Sequence, residues 1–277
     1  WAKYMSTYLR PWAAKLDSDS RLHPNFKLHG TVTGRLSGED GVHQVPRDKF
    51  IRRLIGAPPG WSFLEIDGSQ IELRVAAAVA KESTMLRIYA TGGDIHRTTA
   101  AAVAHKKPED ITDDERKKAK AVNFGFLYGM GWKKFKTYAW EKYGVRVSDS
   151  EARAFRERFF SLYHDLPEWH NLMRKTVRQL GYVVSPIGRK RRLPDIRSSD
   201  EGVQASAERE AINSPVQGFG SDYVLAAFIE VFQIIMKEDP DFETIRPVGT
   251  VHDAQYYEIR NDKIDYWANI IKTVFDD

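Results

Sequence analysis

The 277-residue sequence has no cysteine, which excludes a disulfide frame and a thiolate metal site. It also lacks any uninterrupted apolar run of about 18 residues and any signal-peptide pattern, so no membrane partner is expected. Charge of one sign is scarce too: 42 Lys and Arg face 38 Asp and Glu, leaving a net charge of +4 and a pI near 9.0. An anionic partner is compatible with that balance, but the distribution of charge must matter more than its sum. Internal repeats and low-complexity tracts are absent. The chain opens on Trp1 rather than Met and ends inside a helical pattern, which reads as a fragment.

What is present, 42% hydrophobic and 29% charged residues, suits one or two globular units with sizeable cores. Residues 1–16 carry Trp1, Tyr4, Met5, Tyr8, Leu9 and Trp12 at helical spacing. A loop-like stretch follows over 17–50, and a Pro58-Pro59-Gly60 turn launches a short apolar strand over 61–66 that ends at Asp67. The pattern is then helical from Gln70 to about Thr91. Asp94 suits the N-cap of the next helix, and Thr112/Glu115 and Ser148/Glu151 have capping-box spacing ahead of two more. Pro167 opens another helix, stopped by Gly181. Residues 182–194 suit a hairpin with a basic arm, Arg189-Lys190-Arg191-Arg192, and helix resumes over about 200–238 with a break near Ser214-Pro215. A last hairpin over about 244–259 precedes a final helix from Asp262. Strands at the two ends of the chain with a helix-rich block between predict an α+β fold: a small antiparallel sheet with a helical insertion.

Two aspartates finish short apolar strands, Asp67 and Asp253. Carboxylates at strand ends of one sheet can clamp two divalent ions about 3.5–4 Å apart for in-line phosphoryl transfer. Magnesium needs few protein carboxylates, because water and substrate phosphate oxygens complete its shell. Asp-Gly is also an ordinary turn signal, and Asp253 fits a hairpin turn, so each residue alone is equally consistent with a turn role. Arg116, Lys120, Phe124 and Tyr128 recur every fourth residue, forming one helical stripe that is cationic at its N-terminal half and aromatic at its C-terminal half. A nucleoside triphosphate has the same polarity, and the helix N-terminus adds positive dipole under the phosphates. Spacing alone fits a solvated Arg116 and Lys120 with a core Phe124 and Tyr128 at least as well. The basic arm is either a solvated face or a grip on phosphates. His96 has the same ambiguity between a satisfied helix residue and a ligand.

The order of several short segments resolves these alternatives by resemblance. Asp67-Gly68-Ser69-Gln70-Ile71-Glu72-Leu73-Arg74 resembles the first motif of the family A DNA polymerases, the family of bacterial DNA polymerase I. Residues 116–129, Arg-Lys-Lys-Ala-Lys-Ala-Val-Asn-Phe-Gly-Phe-Leu-Tyr-Gly, are similar to that family's fingers-helix motif, and Val251-His252-Asp253 to its third motif. Thr33-Gly34-Arg35-Leu36-Ser37, Asp94-Ile95-His96-Arg97 and Asn213-Ser214-Pro215-Val216-Gln217-Gly218 are smaller matches in the same order.

The resemblance implies a right-hand polymerase fold, with palm over 1–72 and 201–277 and helical fingers over 73–200. It implies a DNA-directed DNA polymerase that adds deoxynucleotides to a primer 3′-hydroxyl and releases pyrophosphate, with primer-template DNA and deoxynucleoside triphosphates as partners. Asp67 and Asp253 would hold two Mg2+ ions, for which Mn2+ can substitute. Glu72 would be the steric gate against ribose. His96, Arg116 and Lys120 would meet the triphosphate, with Lys120 also an acid toward the leaving pyrophosphate. Phe124 would lie by the sugar and Tyr128 by the template base. Arg35, Arg209, Asn213, Gln217 and His252 would contact DNA. The expected location is the cytoplasm or nucleoid of a cell or host, or an organelle.

The sequence departs from the motif pattern at Gly68, where the family usually has Tyr, and at Ala254, where it has Glu. Most of a thumb and any proofreading domain are expected to be absent from this segment. Two rivals remain at this point: a single-subunit RNA polymerase, whose first motif also begins Asp-Gly-Ser, and a catalytically weak DNA-binding fragment.

Overall fold

The computed structural model describes residues 1–28, 30–38, 45, 48–251 and 253–276. In chain order its elements are α1 (Ala2–Tyr4), a π-helical turn Met5–Leu9, α2 (Arg10–Ala13), β1 (Phe26–Lys27), β2 (Ser37–Gly38), α3 (Lys49–Arg52) and β3 (Trp61–Asp67). Next come the helices α4 (Ile71–Ala80), α5 (Ser83–Ala90), α6 (Ile95–Ala104), α7 (Asp113–Phe126), α8 (Trp132–Tyr143), α9 (Asp149–Leu162) and α10 (Leu166–Leu180). A hairpin of β4 (Tyr182–Val184) and β5 (Lys190–Arg192) leads to α11 (Glu201–Glu238), then β6 (Ile245–Val251), β7 (Ala254–Arg260) and α12 (Ile264–Asp276).

The chain forms two compact units, Trp1–Ser69 with Gly220–Asp277, and Gln70–Phe219. The first unit is built on an antiparallel sheet of order β3-β7-β6. Its strands obey the period of two, so that Leu64, Ile66, Tyr257 and Ile259 turn to one face. There they meet Val231 and Ile235 of α11 and Trp267 and Ile271 of α12, a core in which Tyr257, Ile259, Val231, Ile235 and Ile271 are fully buried. A fully buried aliphatic or aromatic side chain contributes about 1.5–3 kcal/mol, so this cluster fixes the sheet register. That register sets Asp67 opposite Ala254, at the end of both strands.

The second unit is helical apart from the β4–β5 hairpin. Capping boxes start α7 at Thr112/Glu115 and α9 at Ser148/Glu151, as the sequence spacing predicts. Gly125 lets α7 approach α8 closely: a Cβ there would lie 2.6 Å from Phe135. Gly181, at φ 75°, ends α10 in the left-handed conformation that glycine accepts without cost.

Two sequence expectations change, and one helix of the second unit is unforeseen. The helix expected from Gln70 to Thr91 is two helices, because Lys81 turns left-handed at φ 53° and the Glu82 side chain caps a new helix by accepting from the Met85 N–H. The break expected near Ser214-Pro215 does not occur, and α11 runs unbroken for 38 residues. Proline removes one N–H there, while Ser214 Oγ donates to the Glu210 carbonyl at 2.6 Å and ties the same stretch of helix together. Helix α8, absent from the sequence expectations, has no side-chain cap and buries only Phe135 and Ala139, four residues apart on one face. Helix α11 also holds an 18-residue window of mean hydropathy 1.5, long and apolar enough by composition to cross a membrane, though short charged interruptions hide it as a run. Its Val231 and Ile235 are spent on the sheet core.

Candidate active site

The carboxylates of the first unit come together through the sheet. Asp67 is the last residue of β3, its Cα partner is Ala254, and the Gly68 N–H donates to the Asp253 carbonyl at 3.4 Å. Asp67 thus ends β3, while Asp253 does not finish a strand as the sequence suggested but lies in the turn between β6 and β7, at the same sheet end. Asp67 is exposed, and the Asp253 side chain is 32% exposed, so neither is committed to the core. The Arg35 guanidinium lies 3.8 Å from Asp253 Oδ1, placed by a loop in which Thr31 Oγ1 donates to the Arg35 carbonyl at 2.7 Å and Ser221 Oγ to the Gly34 carbonyl at 3.3 Å. Two accessible carboxylates of this kind fit the donor set of a magnesium pair, whose remaining positions water and phosphate oxygens fill. His252 lies outside the described residues.

In the second unit the sequence stripe forms on α7 from Arg116 to Phe124, while Tyr128 lies in the turn just past the helix end. Ala119, Val122, Asn123 and Phe126 of α7 are buried, whereas Lys120 is exposed and Arg116, Phe124 and Tyr128 are half-buried. The core assignment that spacing allowed for Phe124 and Tyr128 is thus not what forms. Arg116 Nε donates to Asp94 Oδ2 at 2.7 Å, and Asp94 also caps α6 by accepting from the His96 and Arg97 N–H groups. Those partners hold the Asp94 carboxyl below its usual range even though burial pushes it up. The Tyr128 hydroxyl donates to Glu72 Oε2 at 3.1 Å, so the residue expected as gate is held by the residue expected beside the template base.

His96 is 2% exposed, and its ring lies 6.0 Å from that of Phe124. Burial, reinforced by the positive charges of Arg116 and Lys120 and opposed by Asp94, holds the imidazole down to about 4. It is neutral at neutral pH. Asn123 meets its Nδ1 at 2.7 Å and accepts from Thr99 Oγ1 at 2.8 Å, with Tyr163 Oη 2.7 Å from the same hydroxyl. With its carbonyl engaged by Thr99, the Asn123 amide N–H faces Nδ1, which leaves the ring proton on Nε2. Motif spacing did not single out Asn123, Thr99 or Tyr163 in this role. Their only signal was that three polar residues fall on otherwise apolar helix faces.

Arg209, Asn213 and Gln217 form a second every-fourth-residue stripe, on α11, all half-buried, while Ala211, Ile212 and Val216 are fully buried. Asn213 Oδ1 is buried without a hydrogen-bond partner among the described residues, a state that costs about 1–3 kcal/mol until something donates to it. The basic arm is partly spent locally: Arg191 pairs with Glu210 at 2.9 Å, and Lys190 lies over the Tyr182 ring at 4.2 Å.

A small antiparallel sheet with paired carboxylates at one end, and a helical insertion carrying a cationic-aromatic face, define the class: a right-hand nucleotide polymerase fold of palm and fingers. The chain belongs to DNA polymerase family A, whose model matches residues 1–277. It is 35% identical over 255 residues to a DNA polymerase I of Aquifex aeolicus, covering 92% of this chain and 42% of that protein. It is 33% identical over 280 residues to the thermostable DNA polymerase I of Thermus thermophilus, covering 99% of this chain and 32% of that one. Among solved structures it resembles the POL domain of Pol1 from M. smegmatis in complex with DNA primer-template and dNTP, with TM-score 0.85 and 26% identity over 96% of this chain and 46% of that one. The chain thus spans less than half the length of these relatives.

Proposed function

We propose that this chain is the polymerising part of a DNA-directed DNA polymerase, transferring a deoxynucleotide to a primer 3′-hydroxyl with release of pyrophosphate. The observation that carries the reading is the carboxylate pair: Asp67 at the end of β3 and Asp253 in the β6–β7 turn beside it, joined by the Gly68 N–H to Asp253 carbonyl bond, neither side chain buried. They would hold two Mg2+ ions, which when bound supply charge neutralisation and activation of the attacking hydroxyl. Every other part is positioning and electrostatics from side chains. Arg116 and Lys120 give the α7 stripe its positive end for the triphosphate. Lys120 Nζ can hand a proton to the leaving pyrophosphate. His96, neutral with its proton on Nε2 but 2% exposed here, would reach a phosphate oxygen only once that nitrogen is uncovered.

Phe124 provides the flat surface beside the sugar, and Glu72, held by Tyr128, fills the space of a 2′-hydroxyl. Arg35 and the α11 stripe of Arg209, Asn213 and Gln217 suit DNA contacts, as does His252. The names of the relatives and the primer-template and dNTP bound to the mycobacterial structure support the same substrates. Action in the cytoplasm or nucleoid, or in an organelle, follows from that substrate.

Primer extension by this chain with dNTPs and Mg2+ is the test. Extension is expected, and Asp67→Asn or Asp253→Asn should lower it by more than about 100-fold while primer-template affinity changes little. Full activity in either variant would remove the two-metal assignment.

A further inference from the structure

We propose that Glu82, His164 and Asp165 form a binding site for a divalent cation of the zinc type, fastening the start of α5 to the start of α10. The site lies wholly within the second unit and is independent of the polymerase reading. One carboxylate oxygen of Glu82, one of Asp165 and one ring nitrogen of His164 all lie within 4.8 Å of one another. Three features together mark this cluster, whereas Asp17, Asp19 and His23, which offer the same donor types in the first unit, are all exposed.

The first is Glu82 itself. It is fully buried, and as the N-cap of α5 it spends Oε2 on the Met85 N–H at 2.6 Å. Its other oxygen, Oε1, is buried with no hydrogen-bond partner among the described residues. A carboxylate oxygen in that position needs either a proton or a cation. Burial does raise the Glu82 pKa despite the pull of the Met85 and Thr84 amides.

The second is the orientation of Asp165. Its Oδ2 accepts from both the N–H and the Oγ of Ser83, at 2.9 and 2.8 Å, and these bonds hold it below its usual carboxylate range. Its Oδ1 faces His164 Nε2 at 3.4 Å. The oxygen left for a ligand is therefore oriented by a second partner, as in metal sites where outer hydrogen bonds orient the ligating atoms. Two ligands on an ion at about 2.0–2.2 Å stand roughly 3.4 Å apart in tetrahedral geometry, which is the Asp165–His164 separation.

The third is the donor set. Two carboxylates and an imidazole favour zinc and its neighbours over magnesium or calcium, which take oxygen shells. Three protein ligands leave a position for water. The His164 side chain is 62% exposed, so it can close the remaining gap to Glu82 without disturbing the core. The ion would join residues 82 positions apart along the chain, where Ser83 and Asp165 already touch.

The test is calorimetric titration of ZnCl2 into the metal-stripped chain in millimolar Mg2+, so that the Asp67/Asp253 pair is kept occupied by the harder ion. One equivalent bound at micromolar concentration or tighter is expected, with a rise in melting temperature. Cobalt should give a visible absorption band at the same site. Glu82→Gln risks the α5 cap, so the deciding variant is His164→Gln, at an exposed position, with Asp165→Asn beside it. Each should weaken zinc at least tenfold, while Asp67→Asn and Asp253→Asn leave zinc affinity unchanged. The absence of saturable binding overturns the proposal. So does binding that survives His164→Gln, or binding that disappears with the first-unit aspartates instead.

Discussion

Lowering the pH from 7.5 to 4.5 should destabilise the second unit steeply, because two of its histidines are buried neutral. His96 and His170 are each 2% exposed. Burial holds both at about 4 against an ordinary 6.5; for His170 the Leu127 carbonyl opposes the shift and Arg174 and Arg156 add to it. In the unfolded chain both imidazoles take up a proton near 6.5, and in the folded chain neither does until about 4. Between those values the unfolded state binds more protons, so stability is intact above 6.5 and falls as the pH falls. At about 1.4 kcal/mol per pH unit per site, two sites give a slope of roughly 2.7 kcal/mol per unit and a total cost of roughly 3 kcal/mol each. Glu82 acts in the opposite sense, since its raised pKa lets the folded state bind a proton first. Asp94, Glu151 and Asp165 are lowered and begin to lose their contribution as the pH falls to the ordinary carboxylate values, so above about 5 the two imidazoles are opposed chiefly by Glu82. The assay is urea denaturation at half-unit pH steps for the chain and for His170→Gln, which removes one titration and keeps a donor for the Leu127 carbonyl that His170 Nε2 meets at 2.8 Å. The variant should show about half the slope. An unchanged slope, or stability that is flat between pH 6.5 and 5, would refute the argument.

Other consequences are nearer the chemistry. Glu72→Ala should raise ribonucleotide incorporation, measured as the ratio of deoxy to ribo kcat/KM, and Tyr128→Phe should move the same ratio less, since it removes only the 3.1 Å bond that holds the carboxylate. Phe124→Tyr should improve the use of dideoxynucleotides, because a hydroxyl there replaces the missing 3′-hydroxyl; unaltered discrimination would place Phe124 away from the sugar. Gly125→Ala should lower the melting temperature, since its Cβ would lie 2.6 Å from the Phe135 ring and overpacking costs about 1–3 kcal/mol, more than the helix propensity gained.

Local chemistry explains which parts of this fold the sequence shows. Thr112/Glu115 and Ser148/Glu151 announce helix starts because a capping box is a pattern four residues long, and both form with reciprocal bonds. Strand β3 is legible to within one residue, since its apolar run ends where Asp67 must leave the core. The α7 stripe is visible as a spacing, but spacing cannot say which face a helix buries; the packing of Ala119, Val122 and Phe126 decides that. The break at Lys81 carries no glycine or proline and so leaves no local mark, and the unbroken helix at Pro215 contradicts one. The Asn123–His96 contact joins residues 27 apart and is a property of how α6 packs on α7. No single-helix pattern contains it.

Ala254, the departure from the family pattern nearest the chemistry, has a structural counterpart. It is 6% exposed and sits opposite Asp67 in the sheet register, so the residue after the third-motif aspartate points its small side chain into packing rather than toward solvent. The carboxylates at this sheet end are then Asp67 and Asp253, and Arg35 at 3.8 Å already offsets part of the second. A cation pair held here meets less negative charge than a third carboxylate would provide. Coulomb interactions between such half-exposed groups are worth only about 1–4 kcal/mol. Under the proposed two-metal reading the consequence is graded: a weaker hold on the metals, with Asp67 and Asp253 still in place.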